Sequence, residues 1–403
     1  MFHLKSHLFA ITFCCAILTA VSPADAQRRK SVFDKGDPAQ PKVGNSSKST
    51  SRNPKATTTT APKKSSATNP GAFFDNKKPS DVDEFAPEVV TMKIKKDGVS
   101  LVATWYPPIV EEKDEEQDKP APANPADPNI EQEEPPEPFE TISSFILIHD
   151  WTRSRNDMIP LAEFLQSQGH AVIVPDLRGH GDSVEVKGVA TELDYKKFTK
   201  TQQASAVADI DQCKRFLQNK NNEKVLNIDL LNVIAVGDSC HLAMAWAISD
   251  WNWEPVAGIK QGKDVKSLTL FSPTKTFAGS TLKKLAKAPL LSGRNSPALP
   301  MLVVWGADSK ADRDCSEFVR HLRKHRPEVD NGADLATRWA NQDLFDFSAP
   351  SAMSGREIAG STRSKTIWNF ANDFVSQKVL THTEDYPWNL RGAKEVLKKR
   401  KKR

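Results

Sequence analysis

The stretch Leu231-Asn232-Val233-Ile234-Ala235-Val236-Gly237-Asp238-Ser239-Cys240-His241-Leu242-Ala243-Met244-Ala245-Trp246 decides the fold. Leu231 to Val236 is an almost continuous apolar run, the pattern of a strand covered on both faces. Gly237 interrupts it, and Leu242, Ala243, Ala245 and Trp246 then continue as a helix from about Cys240 to Ser249. Ser239 lies at the turn between them, flanked by residues small enough for the turn to be sharp, with its hydroxyl directed out at the helix N-terminus. A serine between strand and helix is also a common N-cap, so its meaning depends on its neighbours.

Reading outward, strands and helices alternate. Before the turn stand the buried strand Phe145-Ile146-Leu147-Ile148, a helix over Asp157 to Gln168 stopped by Gly169, and the strand Ala171-Val172-Ile173-Val174. A helix over about Thr201 to Asn219 leads into Leu231. Beyond the turn come strands at Val265 to Phe271, Met301 to Trp305 and, more weakly, near Ala336 to Phe347, with helices near Asp312 to His325 and Lys365 to Gln377. Val89 to Ile94 and Val99 to Tyr106 flank Lys96-Asp97-Gly98, whose Asp-Gly step is a tight-turn signal, so they form an antiparallel hairpin. The expected class is α/β, a doubly wound and mostly parallel sheet. The stretch between Ser272 and Pro300 is too short for a large cap domain, so any site should be open or lightly lidded.

Two further segments give the pattern a family likeness. Ile146-Leu147-Ile148-His149-Asp150-Trp151 is similar to a strand ending in His-Gly, and Pro175-Asp176-Leu177-Arg178-Gly179-His180-Gly181-Asp182-Ser183 closely resembles a D-x-R-G-H-G-x-S loop. With Gly237 and Ser239 matching most of G-x-S-x-G, these occur in the order and spacing of the α/β-hydrolase superfamily. The resemblance covers about residues 90 to 378. It implies a structural role for the Arg178 and His180 loop, Ser239 as nucleophile, and an oxyanion held by the backbone N–H of Cys240 and a second donor near Asp150 and Trp151.

The chain departs from the family at several of these places. His241 stands where the last glycine of the pentapeptide belongs, and Asp150 follows the histidine, where a carboxylate would oppose a developing oxyanion unless it pointed away. The family's acid position after Gly306 is Ser309, leaving Asp308 or Asp312 as candidate acids that are equally readable as turn or N-cap residues. The base should follow the last strand, but Ala349-Pro350-Ser351-Ala352-Met353-Ser354-Gly355-Arg356 holds no histidine, and Ser354 most nearly fills the place. His321 and His325 read as a solvated helix face, His382 lies beyond the last helix, and His241 should point elsewhere. Without a base a serine hydroxyl is a poor nucleophile near neutral pH.

The termini and composition set the context. Lys5, an apolar run from Leu8 to Val21 and Ala24-Asp25-Ala26 have the layout of a secretory signal peptide over 1–26, the alternative being an uncleaved anchor. No later run reaches the length of a membrane span. Residues 27–85 form a Lys-, Ser-, Thr- and Pro-rich linker expected to be disordered, and about 107–140 is an acidic, Pro-rich insertion within the domain at 86–380. The remainder, 381–403, reads as a basic tail, either solvated or directed at an anionic surface; its Lys394 to Arg403 run lacks the interleaved aromatics of a nucleic-acid platform. Of the five cysteines, only Cys213, Cys240 and Cys315 follow the signal segment, so at most one disulfide can form. No ligand spacing points to a metal, and no motif to a cofactor. The sequence therefore predicts an exported, periplasmic or extracellular protein with minimal or no cap. It is expected to be degenerate and non-catalytic, binding a small-molecule or protein ligand. The alternative is a serine hydrolase of esterase or peptidase type with a rearranged triad around Ser239.

Overall fold

The computed structural model describes residues 85–110 and 137–392, apart from 257, 258, 295, 296, 328, 331 and 350. The expected signal peptide, nearly all of the basic linker, the heart of the acidic insertion and the end of the basic tail lie outside these described residues.

The hairpin forms as its turn chemistry predicts: Gly98 takes φ +75°, and β1 (Glu88–Lys93) runs antiparallel to β2 (Ser100–Tyr106). After α1 (Pro138–Thr141), the chain builds β3 (Ser144–Ile148), α2 (Ile159–Ser167) and β4 (Ala171–Pro175). Then follow α3 (Lys200–Ser205), α4 (Val207–Asn222), β5 (Leu231–Val236), α5 (Cys240–Trp251) and β6 (Val265–Phe271). A short ribbon of β7 (Thr276–Phe277) and β8 (Ser280–Thr281) leads through α6 (Leu282–Leu285) and α7 (Pro289–Ser292) to β9 (Met301–Gly306). The described chain continues with α8 (Asp312–Arg323), α9 (Leu335–Asn341), β10 (Leu344–Ala349), α10 (Gly355–Gly360) and α11 (Lys365–Lys378).

The main sheet has the order β1-β2-β4-β3-β5-β6-β9-β10. Its first two pairings are antiparallel, and all those from β4 to β10 are parallel. From β3 the chain first winds to β4 and then returns to place β5 on the other side. Such a reversal opens a crevice beyond the carboxyl ends of the two strands. His149 and Asp150 follow β3, and Gly237 follows β5, so these residues meet at the reversal.

The apolar strands are buried on both faces because each face is roofed by helices. Ile146, Ile148, Val233 and Ala235 pack with Ile210 and Leu217 of α4, Trp246 of α5 and Phe318 of α8. Phe145, Leu147, Ile234 and Val236 point the other way, toward Leu161 and Leu165 of α2 and Trp368 and Phe374 of α11. This alternation along each strand uses every apolar side chain.

Three elements differ from the sequence expectation. The weak strand near Ala336 to Phe347 is half helix: Asp334 caps α9 by accepting the Thr337 N–H at 2.7 Å, and Trp339 then lies on Phe345 and Phe370. Only Leu344 to Ala349 pairs, parallel to β9. The loop expected after the last strand is cut short by α10, which opens with a capping box between Ser354 and Glu357. Finally, residues 381–392 do not leave the domain. Arg391 is 1% exposed and bonds Asp229 and Asp264, each at 2.6 Å, while Asn222 Nδ2 donates to the Arg391 carbonyl at 2.8 Å.

Candidate active site

The strand-to-helix turn has its sharp point at Gly237. This residue has φ +57°, the left-handed region that glycine enters without steric cost. Ser239, two residues on, has φ −69° and ψ −13°, already helical. The Cys240 N–H bonds back to the carbonyls of Asp238 and Gly237. The sequence reading placed Ser239 at the turn's apex and the Cys240 N–H in the oxyanion site; the backbone puts the apex at Gly237 and uses that N–H to close the turn. Ser239 is 0% exposed, and its Oγ has no hydrogen-bond partner among the described residues.

Asp150 occupies the space above the turn. A Cβ built on Gly237 would stand 2.8 Å from Asp150 Cγ and 2.9 to 3.0 Å from its oxygens. Burial and the nearby Asp238 carboxylate push the Asp150 carboxyl above its usual range, while the backbone N–H groups of Asp238, Thr152 and Trp151 favour its charged form. The carboxylate therefore faces the backbone N–H groups of Asp238, Thr152 and Trp151, where the second oxyanion donor was expected, rather than pointing away. Asp238 is itself held by the Thr274 hydroxyl at 2.5 Å.

The lid is small but closed. Trp151 lies edge-on to His180 at 4.6 Å and against Phe277 of β7 at 5.0 Å, and β7 packs on the 237–239 turn. Tyr195 stacks on His180 at 4.0 Å. A ribbon of a few residues thus covers the crevice, the light lid that the short stretch between Ser272 and Pro300 allows.

Among the described residues, no histidine is placed as a base for Ser239. The Leu177 N–H donates to His149 Nε2 at 3.1 Å, so the proton sits on Nδ1, which donates to the Asp150 carbonyl at 2.7 Å. Burial, and next the proximity of His180, hold the His149 pKa down to about 3. His241 Nε2 donates to the Thr274 carbonyl at 2.7 Å; its Nδ1 is buried without a partner. His321 lies 3.5 Å from Glu317 and His382 3.9 Å from Asp385, while His325 Nε2 accepts from Arg294 at 3.0 Å. Of the candidate acids, Asp308 is exposed and Asp312 accepts the Trp305 indole N–H at 2.7 Å. Ser354, at the expected histidine position, caps α10.

The Arg178 loop braces this end of the sheet. Arg178 forks onto the fully buried Asp209 at 2.7 to 2.9 Å and reaches Asp97 in the first hairpin's turn at 2.6 Å. Strand order, a left-handed residue ending β5, and a D-x-R-G-H-G-x-S loop pinned beside that turn complete one architecture. The chain has the α/β-hydrolase fold.

No family model and no curated protein matches the sequence. Among solved structures, the chain is similar to esterase 2 of Thermogutta terrifontis, with a TM-score of 0.45 and 15% identity over 72% of this chain and 94% of that one. A predicted CIB-like hydrolase from Thermoplasma acidophilum gives 0.40 and 9%, over 72% and 98% of the two chains. The thioesterase domain of the curacin biosynthetic pathway gives 0.40 and 12%, over 71% and 99%.

On the α/β-hydrolase frame, the residue missed in the sequence is Gly237. Ala235-Val236-Gly237-Asp238-Ser239 has small residues at both ends as well, and the bulk of His241 was the signal that the frame starting at Gly237 was the poorer of the two. Among the described residues no His, Cys, Asp and Glu side chains gather as a metal site, and Cys213, Cys240 and Cys315 are all free and buried.

Proposed function

We propose that this chain is an exported, non-catalytic α/β-hydrolase-fold protein that acts by binding. The observation that carries this reading is the Asp150 carboxylate seated over Gly237. In a nucleophile elbow the attacking side chain stands at the sharp, strained point of the strand-to-helix turn, which in this chain is Gly237. The space a side chain would occupy there is filled by a carboxylate.

Three further points support the reading. A hydroxyl on a residue that is 0% exposed leaves no room for an acyl carbon to approach. An anion where the second oxyanion donor was expected opposes the charge that acyl transfer develops. Among the described residues no imidazole bonds Ser239, and loss of the serine or histidine of a catalytic triad costs on the order of a millionfold in turnover. The N-terminal layout supports export.

A fluorophosphonate probe tests the proposal. Folded protein and Ser239→Ala are incubated with the probe at equal concentration, and neither is expected to be labelled. Labelling of the parent that disappears in the variant would establish a serine hydrolase and end the non-catalytic reading.

A further inference from the structure

A cavity of about 440 Å3 lies beside the carboxyl end of β9, outside the closed crevice, with Trp305 and Val319 among its walls and Arg320, Arg323 and Lys324 around it. Its volume falls in the range of small-molecule sites. The three cations are spaced i, i+3 and i+4 at the end of α8, so they project from one side of the helix. Like charges so placed repel one another, and their position at the helix C-terminus offsets only part of that cost.

The charges are not equivalent. Arg323 is ion-paired with Asp346, which lines the same cavity, so that carboxylate is already neutralised and the guanidinium is held in place. Among the described residues, Arg320 and Lys324 have no ion pair or side-chain hydrogen bond. Two positive charges are thus left uncompensated beside a cavity with an apolar wall. Trp305 forms that wall and cannot swing away, because its indole N–H is fixed on Asp312 at 2.7 Å. Ser316 adds a hydroxyl at the edge.

We propose that this cavity binds a phosphate monoester carrying a small apolar or aromatic body. A phosphate dianion matches the two uncompensated cations in charge, and a guanidinium fork matches its oxygens in geometry. The apolar body would lie against Trp305 and Val319. The inference does not depend on whether Ser239 is catalytic, because none of the cavity residues belongs to the turn.

Calorimetric titration of the full chain with phenyl phosphate tests it, with inorganic phosphate and phosphatidic-acid vesicles as parallel arms. Phenyl phosphate is expected to bind with a Kd on the order of 0.1 mM or tighter, at least tenfold better than inorganic phosphate. Arg320→Gln with Lys324→Gln, which breaks no ion pair, should weaken it at least tenfold, and Arg313→Gln at the other end of α8 should leave it unchanged. Binding to the vesicles as well, lost in the same double variant, would assign the phosphate to a lipid. No binding of phenyl phosphate, or equal weakening by Arg313→Gln, would overturn the proposal.

Discussion

His149 turns acidification into a measurable loss of stability. In the folded protein its pKa is held at about 3 against an ordinary 6.5, because the ring is buried and its Nε2 must stay bare to accept the Leu177 N–H. The unfolded chain takes up the proton below about pH 6.5, whereas the folded chain does not. The stabilisation is therefore complete above that pH and drains away as pH falls toward the folded value. Each pH unit crossed costs about 1.4 kcal/mol, so about 3 kcal/mol is lost by pH 4.5 and about 5 kcal/mol by pH 3. A domain with a total stability of about 5–15 kcal/mol would feel this strongly. Urea unfolding of the parent and of His149→Gln, between pH 7.5 and 4.5, isolates the contribution. Glutamine offers an acceptor to Leu177 but does not titrate, and the other buried histidines are common to both proteins. The parent should lose about 3 kcal/mol more than the variant between pH 6.5 and 4.5. Parallel profiles, differing by less than about 0.5 kcal/mol over that range, would refute the assignment of a bare, buried His149.

Three further outcomes follow from the same contacts. Gly237→Ala should destabilise by about 1–3 kcal/mol through strain at positive φ and the clash with Asp150; adding Asp150→Gly should recover at least about 1 kcal/mol in a double-mutant cycle, read by urea unfolding. Ser354→Ala removes the cap of α10 and should cost about 1 kcal/mol by the same assay, without the loss of function expected of a catalytic residue. Arg391→Met removes one of the cations bound to Asp229 and Asp264, which keep Lys260, Lys266 and Lys214, and should cost about 1–3 kcal/mol, seen as a lowered thermal midpoint.

What the sequence made legible was periodicity. Leu231 to Val236 and Val265 to Phe271 read as buried strands to the residue, because each mostly apolar run stops at a breaker, Gly237 after the first and Ser272-Pro273 after the second. Less visible was anything set by a tertiary partner. Trp339 and Phe345 fit a strand pattern as well as a helix, and the Asp334 cap decided between them. The Ser354 and Glu357 box was present in the sequence, but the expectation of a loop concealed it. At the turn, one-dimensional spacing could not say which small residue would take the left-handed conformation; that depends on where β5 ends and on the carboxylate that β3 delivers above it.

Arg391 also bears on the order in which the domain assembles and comes apart. Its bond to Asp264 spans 127 positions, so a long loop must close before the guanidinium meets its partners. The entropy of closure grows only slowly with that length, but the contact cannot form until both acids are already fixed at the starts of β5 and β6. Once formed, it resists fraying: the segment cannot peel away without abandoning two buried carboxylates. A region that would ordinarily be the first to open is thereby tied to the global unfolding of the sheet, and hydrogen exchange at Arg391 should be as slow as in the central strands.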